Sequence, residues 1–127
     1  MALERIQPQG LAKPGTYSHV IRAGNTVYIA GQTATDAQGN VVGRGDITAQ
    51  SVQVFENLKA ALASVGGTFA DVASITVYIT DARYRDPMRE VRTRYLGDKL
   101  PTSTLLVVAG LADPEYLLEI SAIAVVG

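Results

Sequence analysis

The chain has 127 residues, 47% hydrophobic and 18% charged, with a formal net charge of −1; this is enough for one domain with a sizeable core, and it gives a nucleic-acid backbone no basic surplus to bind. Cysteine is absent and His19 is the single histidine, which excludes disulfides, thiolate nucleophiles and any cysteine- or histidine-rich metal site. With no run of about 18 apolar residues and no basic-then-apolar leader, a soluble cytoplasmic protein without a membrane partner is expected.

Pro8, Gly10, Pro14 and Gly15 punctuate the start of the chain, which reads as a short strand at 3–6 and an irregular lead-in. Residues 17–21 and 26–33 read as a hairpin turning at Ala23-Gly24-Asn25. Tyr17 and His19 are two apart on its first strand and share a face, as ordinary half-buried sheet residues would. Gly39, Asn40, Gly43 and Gly45 mark a flexible loop ending at Asp46, a helix N-cap. Val52, Phe55, Leu58, Leu62 and Val65 then follow helical spacing until Gly66-Gly67 stops the helix. A strand is expected at 74–80. Asp86-Pro87 opens a second helix, with Asp as cap and Pro as first helical residue; Met88, Val91 and Tyr95 share its inward face, and Gly97 ends it. Residues 103–109 form the next strand, Asp113-Pro114 turns the chain, and 116–127 closes it.

That closing stretch, YLLEISAIAVVG, is β-branched and apolar, as suits a strand in the middle of a sheet. Its interruption is Glu119, flanked by Leu117, Leu118, Ile120 and Ile123. A carboxylate there needs a partner, a raised pKa or water in a pocket. Two readings are open: a charge at a sheet edge or paired with an arginine, or a working acid or base.

The element order is β-β-α-β-α-β-β, with a short leading strand added, in a single α+β domain over 1–127. Crossovers that put both helices on one side leave the other face of the sheet bare. Yet residues 104–108 and 122–126, TLLVV and AIAVV, are apolar on both faces, so another subunit is expected to supply the missing layer. There is no phosphate-cradling GxGxxG or GxxxxGK loop and no GxSxG elbow.

Several stretches together resemble one family: GTYSHVI (15–21), VYIAGQTATD (27–36), the helix around VFENLKAALASVGG, VYITD (77–81), and LPTSTLLVV with LLEISAIAV at the end. They are similar to the RidA (YjgF) reactive-intermediate deaminases over nearly the whole chain. The resemblance implies a chorismate-mutase-like fold with two helices on one face of a mixed sheet. It also implies a homotrimer with clefts between subunits, and hydrolysis of small enamines or imines without cofactor or metal.

Carried over by position, the family's terminal-strand carboxylate falls on Glu119, where it would position water or shuttle a proton. The pocket tyrosine falls on Tyr17 and the cleft-lining glycine on Gly31. Four positions depart from the pattern. Ser103 stands where deaminating members have the arginine that pairs with the substrate carboxylate, and a hydroxyl cannot replace that fork of donors. Ala30 replaces a serine, Leu105 a cysteine, and Arg92 the asparagine of the second helix. Arg92 borders the inward face of its helix. It is read either as the positive charge that compensates for Ser103 or as a surface arginine paired with Glu90, Asp86 or Asp98. The implied function is a RidA-type hydrolase with a substrate other than the usual 2-imino acid. The alternative is a non-catalytic small-molecule-binding or regulatory trimer of the same fold.

Overall fold

The computed structural model describes residues 2–127. Six strands, β1 (Glu4–Ile6), β2 (Val20–Ala23), β3 (Thr26–Gln32), β4 (Val72–Ile79), β5 (Thr102–Val107) and β6 (Leu118–Val125), alternate with two helices, α1 (Ile47–Ala63) and α2 (Arg85–Leu96). The strands form one mixed sheet in the order β1-β2-β3-β6-β4-β5. β6 therefore lies at the centre, antiparallel to β3 and β4 on its two sides. β4 and β5 are parallel neighbours joined through α2.

Side-chain alternation along β6 defines the layers. Leu118, Ile120, Ala122 and Ala124 are buried on one face, with Ile75, Val77 and Ile79 of β4 and with Val54, Phe55, Leu58, Met88 and Val91 of the helices. Glu119, Ser121, Ile123 and Val125 alternate to the other face, where no helix lies. Tyr28, Leu106, Ile123 and Val125 are exposed there, between 40% and 52% of each. The bare apolar face expected from TLLVV and AIAVV is present.

Local signals explain most boundaries. Asp46 caps α1 by accepting from the Ala49 N–H at 3.0 Å, and past its end Gly66 takes a φ of 72° while the Gly67 N–H donates to Leu62 O. Phe55 stacks on Tyr95 with centroids 5.2 Å apart, fixing α1 against α2.

Three expectations change. Tyr17 lies ahead of β2, which begins at Val20; backbone pairing with β3 reaches back only to His19, whose O accepts the Ala30 N–H at 2.8 Å. Asp86 is not the cap of α2. Asp81 caps a 3-10 turn at Ala82–Tyr84 by accepting from the Arg83 N–H, and that turn runs straight into α2 at Arg85. Pro87 then sits inside the first helical turn, where its missing N–H removes no intrahelical bond. The glycine-bearing loop at 39–45 is a built turn. The Asp36 carboxylate accepts from the N–H groups of Gln38 and Asn40, and Thr35 bridges to Val41.

Candidate active site

The Glu119 carboxylate lies against the backbone of Gly31. A Cβ placed on Gly31 would come 2.6 Å from Glu119 Cδ and 2.8 Å from Cγ, with Oε2 nearer still. Only glycine leaves room for the carboxylate in this position. β3 and β6 lose register here: Ile29 pairs with Ala122 and Gln32 with Ile120, so Ala30 and Gly31 together oppose one residue. This bulge turns the Gly31 backbone under the carboxylate. On its other side Glu119 pairs with Tyr78, which in turn pairs with Leu106. Sequence reading missed Tyr78, although its alternation with Val77 and Ile79 was the available signal.

Glu119 is half-buried and takes part in no hydrogen bond or ion pair among the described residues. Burial raises its pKa above the ordinary 4.5, because the charged form loses hydration without gaining a partner. A carboxyl whose pKa is raised is a stronger base than an ordinary glutamate, suited to accept and return a proton.

Gly31 also floors a cleft of about 170 Å³ that Tyr17, His19, Gln32, Asn57 and Tyr116 help to line. The Tyr17 ring meets His19 edge-on at 5.8 Å and stays 57% exposed. His19 Nε2 donates to Ala12 O at 2.7 Å, and its Nδ1 accepts from Gln32 Nε2 at 3.1 Å. Gln32 Nε2 also donates to Ala30 O. The histidine is thus a buried brace of the bulge, with both nitrogens engaged.

Arg92 and Ser103 meet at a different place. Arg92 Nη1 is 3.4 Å from Ser103 Oγ, and together they line a slot of about 140 Å³ with Ile75, Leu96, Leu100 and Pro101. Burial, and then the neighbouring Arg89, lower the Arg92 pKa. No carboxylate of Glu90, Asp86 or Asp98 pairs with Arg92 among the described residues. Ser103 shares the register of buried Ile75, so this slot is on the helix-bearing face, and Leu105 packs two residues along against the core. Glu119 points from the opposite face. Within one chain the sequence-named residues therefore fall apart into Glu119, Gly31 and Ala30 at the bulge, Tyr17 in a cleft that shares Gly31 but not Glu119, and Arg92, Ser103 and Leu105 on the helix-bearing side.

No group of three or more metal-binding side chains is assembled among the described residues, and no described helix is long and apolar enough to cross a membrane.

A mixed sheet with two helices on one face and a carboxylate on the bare face defines a chorismate-mutase-like α+β domain. Residues 8–126 match the family model described as Endoribonuclease L-PSP. A RutC family protein of Pyrococcus abyssi is 37% identical over 125 residues, covering 98% of each chain. One of Pyrococcus horikoshii is 39% identical over 122 residues, covering 95% of this chain and 96% of that one. The crystal structure of RidA from an Antarctic Psychrobacter superposes with a TM-score of 0.90 at 34% identity, covering 97% of this chain and 99% of the other. The chain belongs to the RidA (YjgF) family. Membership supports a reactive-intermediate deaminase or a related small-molecule-binding role.

Proposed function

We propose that this protein is a cofactor-independent hydrolase of small imine- or enamine-like metabolites, working as a homotrimer with its sites between subunits. The observation that carries this reading is Glu119: a half-buried, unpartnered carboxylate held over Gly31 on an apolar sheet face.

In the proposed reaction Glu119 takes a proton from a water as its oxygen attacks the C=N carbon. The C–O bond forms and the π pair moves to nitrogen. Glu119 then delivers that proton to the nitrogen to give a carbinolamine, takes the proton of the new hydroxyl and passes it to the amine; the C–N bond breaks as the C=O forms, and ammonia leaves. Tyr17, exposed at the cleft mouth, would orient the substrate through its hydroxyl. Exposed Tyr28, Leu106, Ile123 and Val125 would be covered by neighbouring copies, and in the proposed trimer Arg92, beside edge strand β5, would reach past that edge toward Glu119 of the next copy. Arg92 then supplies the positive charge that Ser103 lacks, toward an anion shaped differently from a 2-imino acid.

The neutral Ser103 favours a second reading, a trimer that binds a small molecule without turning it over. The endoribonuclease of the family description has little support in a chain of net charge −1. Ammonia release from imines generated in situ separates the first two. Turnover in the parent that is lost in Glu119→Gln supports the hydrolase, and binding without release across an imine panel supports the binder. Sedimentation tests the trimer, and a stable monomer at micromolar concentration would sink any site shared between copies.

A further inference from the structure

Gly31 lies in the bulge of β3, so the regular ladder does not set its height under Glu119. The His19–Gln32 brace supports β3 from the side of β2, and Tyr78 pairs with Glu119 on the far side of β6; what ties the two strands to each other past the bulge is a further set of contacts. Two buried amides on α1 make contacts at the right places. Asn57, 3% exposed, donates from Nδ2 to Thr33 O and Thr35 O, both at 3.0 Å. Thr33 is two residues beyond Gly31. Gln50, wholly buried, accepts the Leu117 N–H at 2.9 Å and donates to Glu115 O at 2.8 Å and Gly43 O at 3.2 Å. Leu117 is two residues before Glu119.

The two amides are seven residues apart, two helical turns, and so share a face of α1. That face is otherwise filled by Val54, Phe55 and Leu58, and a buried amide there is costly unless its hydrogen bonds are made. Here both ends of each amide have partners: Gln53 Nε2 donates to Asn57 Oδ1 at 2.9 Å. The groups of Thr33, Thr35, Glu115 and Leu117 that they bind lie just outside the ends of β3 and β6, while Gly43 O lies in the loop that leads into α1. β3 and β6 are antiparallel, so one rigid helix grips both strands at the same end, just past the bulge, the kind of support that keeps a working group within a fraction of an ångström of its place.

We propose that Gln50 and Asn57 are positioning residues that together hold the Glu119 carboxylate over Gly31. The proposal rests on the reading of Glu119 as the working carboxylate, but its test does not need turnover. The Glu119 side-chain carboxyl is followed by carbon NMR through a pH titration in the parent, Gln50→Leu, Asn57→Ser and Gln53→Ala. Arg22→Gln serves as a control, since Arg22 braces the far end of the sheet by donating to Val126 O and Gly24 O. In the first three variants the strands relax, the carboxylate gains water, and its midpoint falls toward the ordinary value by roughly half a unit or more. Arg22→Gln lowers the melting temperature and leaves the midpoint where it was. A midpoint unchanged in folded Gln50→Leu and Asn57→Ser overturns the proposal, as does an equal fall in the control. Should those two not fold, the half-buried Gln53→Ala decides alone, and an unmoved midpoint there also overturns it. A parent that releases no ammonia counts against the hydrolase reading and leaves the titration outcome intact.

Discussion

Replacing Gly31 by alanine adds a single methyl at the one place where the carboxylate passes. Gly31 does not have a positive φ, so alanine suits the backbone and the effect isolates the side-chain encounter. The new Cβ would sit 2.6 Å from Glu119 Cδ and 2.8 Å from Cγ, against an ordinary carbon–carbon separation of about 3.5–4.0 Å. Glu119 must retreat by roughly 1 Å or rotate away, and resisting that costs about 1–3 kcal/mol as an overpacking term. A displacement of about 1 Å at a reacting group is worth on the order of 100-fold in rate. The assay is a double-mutant cycle: chemical denaturation of the parent, Gly31→Ala, Glu119→Ala and the double variant, with imine hydrolysis measured in parallel. Removing Glu119 should relieve the alanine, giving a coupling of about 0.5–3 kcal/mol. Additive effects on stability would refute the contact, because two residues that do not touch have no reason to couple.

Glu119→Gln should melt at the same temperature as the parent or higher at neutral pH. The folded-state pKa is raised above the ordinary 4.5, so ionisation destabilises the native state as pH climbs through that raised value, and the variant's advantage should vanish below pH 4.5. Hydrolysis of 2-aminoacrylate should be weak or absent in the parent; because Arg92 reaches Ser103 at 3.4 Å, the paired change Ser103→Arg/Arg92→Asn should raise it more than Ser103→Arg alone, in a direct ammonia assay. Ile123→Glu, on the bare face, should leave the fold intact by circular dichroism and dissociate the proposed trimer in sedimentation. Tyr95 donates to Glu56 Oε2 at 2.7 Å, and burial with that bond pushes the phenol up to about 12. Tyr95→Phe should therefore cost only about 0.5–1 kcal/mol in urea denaturation, since the ring keeps its stack on Phe55. A spectroscopic titration of the parent should show one tyrosine ionising well above the usual range.

Elements whose evidence lies within a few neighbouring residues were readable in advance. Asp46 and the 52–65 spacing gave α1, the apolar run around Glu119 gave the central strand, and TLLVV with AIAVV gave the bare face. The start of α2 was misplaced because Asp86-Pro87 is a strong local cap signal, while the cap in use, Asp81, acts on a 3-10 turn that has no periodicity to betray it. Tyr17 was put on a strand because alternation alone does not say at which residue pairing begins. Residue-level carry-over named Glu119 and Gly31, but their contact depends on a two-against-one bulge, and register between distant strands is not written in either strand alone. The partnership of Gln50 and Asn57 with loops 65 and 24 residues away was likewise out of reach; all that the sequence offered was two amides on an apolar helix face.

The place of β6 has a consequence for how the chain acquires its shape. The strand synthesised last among the six is the one inserted between β3 and β4. Until it arrives, β1–β3 and β4–β5 are two separate ribbons, each with an open hydrogen-bonding edge turned toward the gap. Closure demands pairings that span nearly the whole chain, from Val27 to Ala124 and from Thr26 to Val125, and such long loops slow the search. A nascent chain not yet extended through β6 is thus two unfinished half-sheets with sticky inner margins, a state prone to aggregation. Arg22 completes the lock: its guanidinium donates to Val126 O at 2.7 Å, so the segment that follows β6 is fastened to the first ribbon once Val126 is in place.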